Sequence, residues 1–151
     1  MSTNSFIAYK ENNKITGIYC HWDGYLEYNG AMLQALYPKH RAKALVTLGD
    51  ISSLGGKLTP EEPDFEPKPN YSEVVQKYMH RSTKAYHRDA HEDWDDVQPR
   101  EFTSVEDYRK YIIDDGCLEF AYLFNADDDD TAPYNTWSYI TPEEPDKFET
   151  F

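Results

Sequence analysis

The chain has 151 residues, with 28 Asp and Glu against 15 Lys and Arg and 15% aromatic side chains. That length suffices for one domain with a buried core, while a net charge of −13 repels nucleic acid and favours basic surfaces as partners. No apolar stretch reaches the length of a membrane span, the first residues lack the features of a secretory signal, and two cysteines, Cys20 and Cys117, are too few for a disulfide scaffold. The sequence therefore predicts a cytoplasmic protein with free thiols and no cofactor. The charge is uneven. Residues 1–57 hold six Lys and Arg against four Asp and Glu, and residues 58–151 hold nine against 24.

In chain order, Ser5–Tyr9 and Ile15–Cys20 read as strands joined by the turn Glu11-Asn12-Asn13-Lys14, since Asn accepts left-handed backbone angles. Asp23-Gly24 breaks the second strand. Tyr28, Met32, Leu33 and Leu36 make one apolar face of a helix from Tyr28 to Tyr37. Pro38 opens a second helix reaching Leu48, with Ala42, Leu45 and Val46 inward and Gly49 as its C-terminal cap. Residues 51–56 read as a loop. The acidic segment 58–70 carries Pro60, Pro63, Pro67 and Pro69, which lack the backbone donors that helix and sheet need, and is predicted irregular.

Asn70, with Glu73 three residues on, is placed as the cap of a helix whose face is Tyr71, Val74, Val75, Tyr78 and Met79. Residues 80–100 are polar and predict a long loop with a single helical turn. Thr103-Ser104-Val105-Glu106 reads as a capping box before a helix carrying Val105, Tyr108, Tyr111 and Ile112, which Gly116 closes. Cys117–Phe124 alternates as a strand. A loop with four consecutive Asp follows, Trp137–Ile140 returns as a strand, and the acidic tail 141–151 is predicted loose, with Phe148 and Phe151 able to dock. The expected architecture is a single α+β domain: an antiparallel sheet from two β-hairpins with helices packed on one face. The absence of βαβ alternation and of a glycine-rich phosphate loop disfavours Rossmann and P-loop classes.

Three groups of residues invite chemistry. Cys20, His21 and Asp23 resemble a nucleophile, base and orienter, but adjacent strand residues point to opposite faces, and real Cys–His pairs come from distant parts of a chain. No catalytic residue is assigned. His87 and His91 have the spacing of metal ligands on a helix, with His80, Asp89 and Asp93 nearby, yet the glutamate of a zinc-protease motif is missing. Asp127–Asp130 lacks the glycine and final glutamate of a calcium loop. No metal site is assigned.

Binding is the stronger reading. Carboxylates interleaved with rings recur through the acidic half, and spaced carboxylates can imitate phosphates beside aromatic anchors. The partner-binding candidates are Glu92, Asp93, Trp94, Asp95 and Asp96, together with Asp127, Asp128, Asp129, Asp130 and Tyr134. A second candidate is a small-ligand pocket built by the Tyr19–Tyr28 run, with Trp22 and Tyr25 stacking and His21, Asp23 and Glu27 making polar contacts.

Met1-Ser-Thr-Asn-Ser-Phe-Ile, then Gly17-Ile-Tyr-Cys-His-Trp-Asp-Gly-Tyr-Leu-Glu-Tyr-Asn-Gly, then Leu48-Gly-Asp-Ile-Ser-Ser-Leu-Gly55, resembles a family of small proteins encoded by bacteriophages and prophages. The resemblance covers the first third of the chain strongly and brings no assigned activity or catalytic residues. It implies an accessory role in the cytoplasm of an infected or lysogenic bacterium. On that basis the leading expectation is a non-enzymatic protein that inhibits a host defence protein: a CRISPR effector, a restriction enzyme or another nuclease. Its partner would carry a basic nucleic-acid-binding surface, with no direct contact to nucleic acid or membrane. Tyr-rich surfaces and an open hairpin edge allow a homodimer.

Overall fold

The computed structural model describes residues 2–151. Two strands, β1 (Ser5–Glu11) and β2 (Lys14–Cys20), pair antiparallel across a two-residue turn in which Asn12 and Asn13 have φ of 57° and 61°. Two consecutive left-handed residues match the right-handed twist of the strands they join. The chain then makes one wide π-helical turn, Leu26–Gly30, before α1 (Ala31–Leu36) and α2 (Lys39–Val46). A short strand β3 (Ile51–Ser53) lies where the sequence predicted only loop, and it aligns with Cys20 at the end of β2.

Residues 58–70 form neither helix nor strand. The next helix, α3 (Glu73–Tyr78), is capped by Ser72, whose hydroxyl accepts from the Val75 N–H at 3.2 Å, and not by Asn70. The segment predicted as a polar loop contains β4 (Lys84–Ala85), α4 (Tyr86–Ala90), α5 (Trp94–Val97) and the start of β5 (Arg100–Phe102). Single anchors order it, which periodicity does not register. Ala85 and Val97 are buried, and the Asp89 carboxylate accepts from the Ala85 N–H at 2.8 Å.

Helix α6 (Val105–Asp115) starts at Ser104, which accepts from the Asp107 N–H at 3.1 Å, and ends at Gly116 with φ of 78°. The partner three residues after the cap is thus Asp107, and the predicted Thr103–Glu106 box does not form. Strand β6 (Phe120–Asn125) begins three residues later than predicted, leaving Cys117 exposed in the preceding turn. Strands β7 (Trp137–Thr141) and β8 (Glu144–Glu149) complete the sheet. The tail is therefore ordered through Glu149: β8 pairs with β7, and Phe148 is buried against Tyr108 with the rings stacked at 6.4 Å.

The strand order is β4-β3-β2-β1-β6-β7-β8, with β5 on the remaining outer edge of β2. The fold is α+β, but the sheet is mixed. β1 runs parallel to β6, and β2 runs parallel to β3. The pairs β1–β2 and β6–β7 are antiparallel, and they meet through their first strands, which run the same way. Side-chain alternation is indifferent to strand direction, so the pattern could not distinguish the two arrangements.

Helices also cover both faces, not one. Ile7, Ile18, Cys20, Tyr122 and Phe124 pack with residues of α1, α2 and α3, including Met32, Leu33, Leu45 and Val75, and with Met79 just after α3. Phe6, Ala8, Ile15, Ala121 and Leu123 pack with Val105, Tyr108 and Ile112 of α6 on the opposite side. The central strand β1 is buried from Ser5 to Lys10, as two covered faces require. No helix is long and apolar enough to cross a membrane among the described residues.

Candidate functional site

The Tyr19–Tyr28 run divides among several environments. Cys20 is fully buried and receives the Asn29 side-chain N–H at 3.3 Å, and burial pushes its thiol up to about 11. His21 lies at the strand's end with Nδ1 2.7 Å from the Tyr19 hydroxyl. Tyr19 packs against the α6 side of the sheet, whereas Cys20 packs against the α1–α3 side. The two residues therefore sit on opposite faces. Trp22 is 45% exposed and meets the His21 ring edge-on at 4.6 Å. Glu27 is exposed on the π-helical turn.

Asp23 and Tyr25 are brought to a cleft of about 330 Å³. Its other walls come from α3 and the residues after it: Glu73, Lys77, Tyr78 and Arg81, with Tyr28 beneath. His21, Trp22 and Glu27 do not line it. The predicted ligand set thus contributes two members, and sequence reading missed the α3 side. A signal was present, because Lys77 and Arg81 stand four apart in a half of the chain that is otherwise strongly acidic.

Several local devices assemble this cleft. Tyr28 is 3% exposed, and its hydroxyl donates to the Leu54 carbonyl at 3.1 Å while accepting from Arg81 Nη1 at 3.0 Å. One nitrogen of the guanidinium is thereby fixed over a buried anchor. Gly55 and Gly56 let the chain after α3 approach closely. A Cβ on Gly55 would lie 2.1 Å from the Arg81 carbonyl oxygen, and one on Gly56 would lie 1.9 Å from that of Met79. Only glycine leaves room for such backbone contact. The Lys57 N–H then donates to the Arg81 carbonyl at 3.0 Å. Tyr28 and Tyr78 rings meet at 5.4 Å, and Tyr25 and Tyr28 at 6.5 Å. The Lys77 ammonium and the Arg81 guanidinium lie 5.3 and 5.8 Å from the centroid of the Tyr78 ring.

The two acidic candidates differ in kind. Around α5, Glu92, Asp93, Asp95 and Asp96 are exposed. The turn that carries them is held from within. Asp93 accepts from the Asp95 N–H at 3.1 Å, the buried Val97 offers its carbonyl to the Asp50 N–H at 2.8 Å, and Trp94 packs edge-on to His87 at 5.2 Å. In the loop after β6, Asp127 and Asp129 both bind the ammonium of Lys10, whose side chain is only 4% exposed. Asp127 also accepts the Asn12 and Asn13 N–H groups at 2.7 and 3.0 Å, so it ties this loop to the β1–β2 turn. These two carboxylates have a structural role, pairing with Lys10 from a loop that leaves their side chains 19% and 30% exposed. Asp128, Asp130 and Tyr134 are exposed.

His87 and His91 do not share a ligand geometry. His91 is the left-handed residue that ends α4, and His87 Nδ1 lies 2.8 Å from the Glu92 carbonyl oxygen. No group of three or more His, Cys, Asp or Glu side chains is placed to hold a metal ion among the described residues. Comparison with known proteins finds no matching family model, no matching curated protein and no matching solved structure.

Proposed function

We propose that the protein acts by binding, presenting the carboxylates of residues 92–96 to a partner with a basic, nucleic-acid-gripping surface. The observation that carries this reading is the α5 turn: four exposed carboxylates on a segment fixed by its own cap, by Trp94 and by the Val97–Asp50 bond. A rigid acidic patch loses little conformational freedom on docking, which favours affinity, and its charge accelerates encounter with a cationic groove. Asp128, Asp130 and Tyr134 form a separate exposed acidic and aromatic patch. Strands β2 and β1 lie between β3, whose preceding residue Asp50 bonds Val97 at the end of the first patch, and β6, which leads into the second.

The resemblance to phage-encoded proteins supports a host defence protein as the partner class: a CRISPR effector, a restriction enzyme or another nuclease, met in the cytoplasm of the infected cell. Affinity capture from host lysate at low and high salt, followed by mass spectrometry, tests this. The expected result is a nucleic-acid-binding protein retained at low salt, released at high salt, and lost when Asp95→Lys and Asp96→Lys are combined. Retention that ignores both salt and these reversals overturns the reading.

A further inference from the structure

We propose that the cleft between the Asp23–Tyr28 segment and α3 binds a nucleoside monophosphate, a function separate from the acidic patch. Three features specify the ligand. The first is charge. Lys77 and Arg81 pair with no carboxylate among the described residues, although most other cations of this acidic chain do. Both flank the ring of Tyr78, and Arg81 is pre-oriented by its bond to the buried Tyr28 hydroxyl. Two cations lining one cleft suit a dianion, and a phosphomonoester carries about −1.5 to −2 charges at neutral pH. Arg adds planar, forked hydrogen bonding to phosphate oxygens.

The second feature is the aromatic wall. Tyr25, 37% exposed at the mouth, and the half-buried Tyr78 both line the cleft and both meet the buried Tyr28, so these two rings supply surface for a planar base. Stacking on aromatic side chains is how proteins hold unpaired bases without a sequence code. The third is the presence of acceptors. Asp23 and Glu73 line the same cleft and would oppose a bare anion, so the ligand must also present N–H or O–H donors. A base with its ribose provides them. At about 330 Å³ the cleft sits at the small end of ligand sites and fits a single nucleotide rather than a dinucleotide. A one-turn π-helix, a feature often found at functional sites, forms the wall that carries Tyr28.

The test is an NMR titration of the full-length protein with AMP, adenosine and inorganic phosphate separately. AMP is expected to shift the amides of Tyr25, Lys77, Tyr78 and Arg81, and to bind at least about tenfold more tightly than adenosine. Inorganic phosphate at equal concentration should not displace it. Lys77 and Arg81 are exposed, so the variant combining Lys77→Gln and Arg81→Gln should stay folded, lose AMP affinity by about ten- to a hundredfold and keep its adenosine affinity. Tyr25→Ala should weaken AMP and adenosine alike. The Asp95→Lys protein should bind AMP as the parent does. No shift at millimolar AMP, equal affinity in the Lys77→Gln, Arg81→Gln protein, or displacement by inorganic phosphate overturns the proposal.

Discussion

Asp50 grips Arg100 through two hydrogen bonds, 2.8 and 3.2 Å, at the one place where the outer edge of β2 has no strand partner. Strand β5 covers Ile15–Gly17 and β3 reaches only Cys20, so the Tyr19 N–H between them would be orphaned. The Asp50 carboxylate accepts it at 2.9 Å. A side chain that is 8% exposed thus joins two short strands into one continuous edge. Asp50→Ala leaves both the guanidinium and the Tyr19 N–H without their acceptor, and, because the Arg100 side chain is 35% exposed and can take water instead, should cost about 1–3 kcal/mol. Arg100→Ala leaves Asp50 its backbone donor and should cost less. Urea denaturation of the two variants checks the order.

Lys10 is the corresponding device at the other end of the sheet. Burial works against the charge on Asp127 and Asp129, but the Lys10 ammonium and nearby N–H groups outweigh it and hold both carboxyls below their usual range. Folded values below the unfolded ones mean that this stabilisation is present above about pH 4 and is lost as pH falls through the folded values. The parent protein should therefore lose stability steeply in acid, and the protein combining Asp127→Asn and Asp129→Asn should lose less between neutral and acidic pH. Lys10→Ala should cost about 3–5 kcal/mol at neutral pH. Denaturation midpoints measured across the acid range test all three.

The two thiols should separate cleanly. Cys20 is buried with its thiol pushed up to about 11, whereas Cys117 is exposed. Thiolate is the reactive form and needs solvent access. Ellman's reagent should titrate one thiol per native chain and two in denaturant. A second native thiol reacting as fast as the first would contradict this packing.

Gly55 and Gly56 make the α3 side of the cleft dependent on absent side chains. Gly55→Ala or Gly56→Ala forces a methyl group into backbone at Arg81 or Met79, and should destabilise by about 1–3 kcal/mol. The same variants should shift the amide resonances of residues 78–82, because that segment must retreat. Unchanged resonances there would contradict the close approach.

Much was legible where a local rule acts alone. The Asn12-Asn13 turn, the faces of α1, α2 and α3, and the Gly116 stop are all read from neighbours in sequence. Strands β3, β4 and β8 were not legible, because each is held by a partner strand or a single buried residue such as Phe148. The acidic loop shows the same limit. Four consecutive Asp look alike in sequence, yet Asp127 and Asp129 turn to Lys10 while Asp128 and Asp130 face solvent.

By itself the sequence determined that the chain is an acidic, aromatic-rich α+β protein without the motifs of the common nucleotide folds, since composition and short-range periodicity carry that information. Only the tertiary structure decided that β1 runs parallel to β6, that helices cover both faces, and that Asp23 and Tyr25 share a cleft with Lys77, Tyr78 and Arg81. Those facts depend on which distant segments meet. Side-chain alternation is the same for either strand direction, and no local spacing encodes the close approach that Gly55 and Gly56 allow.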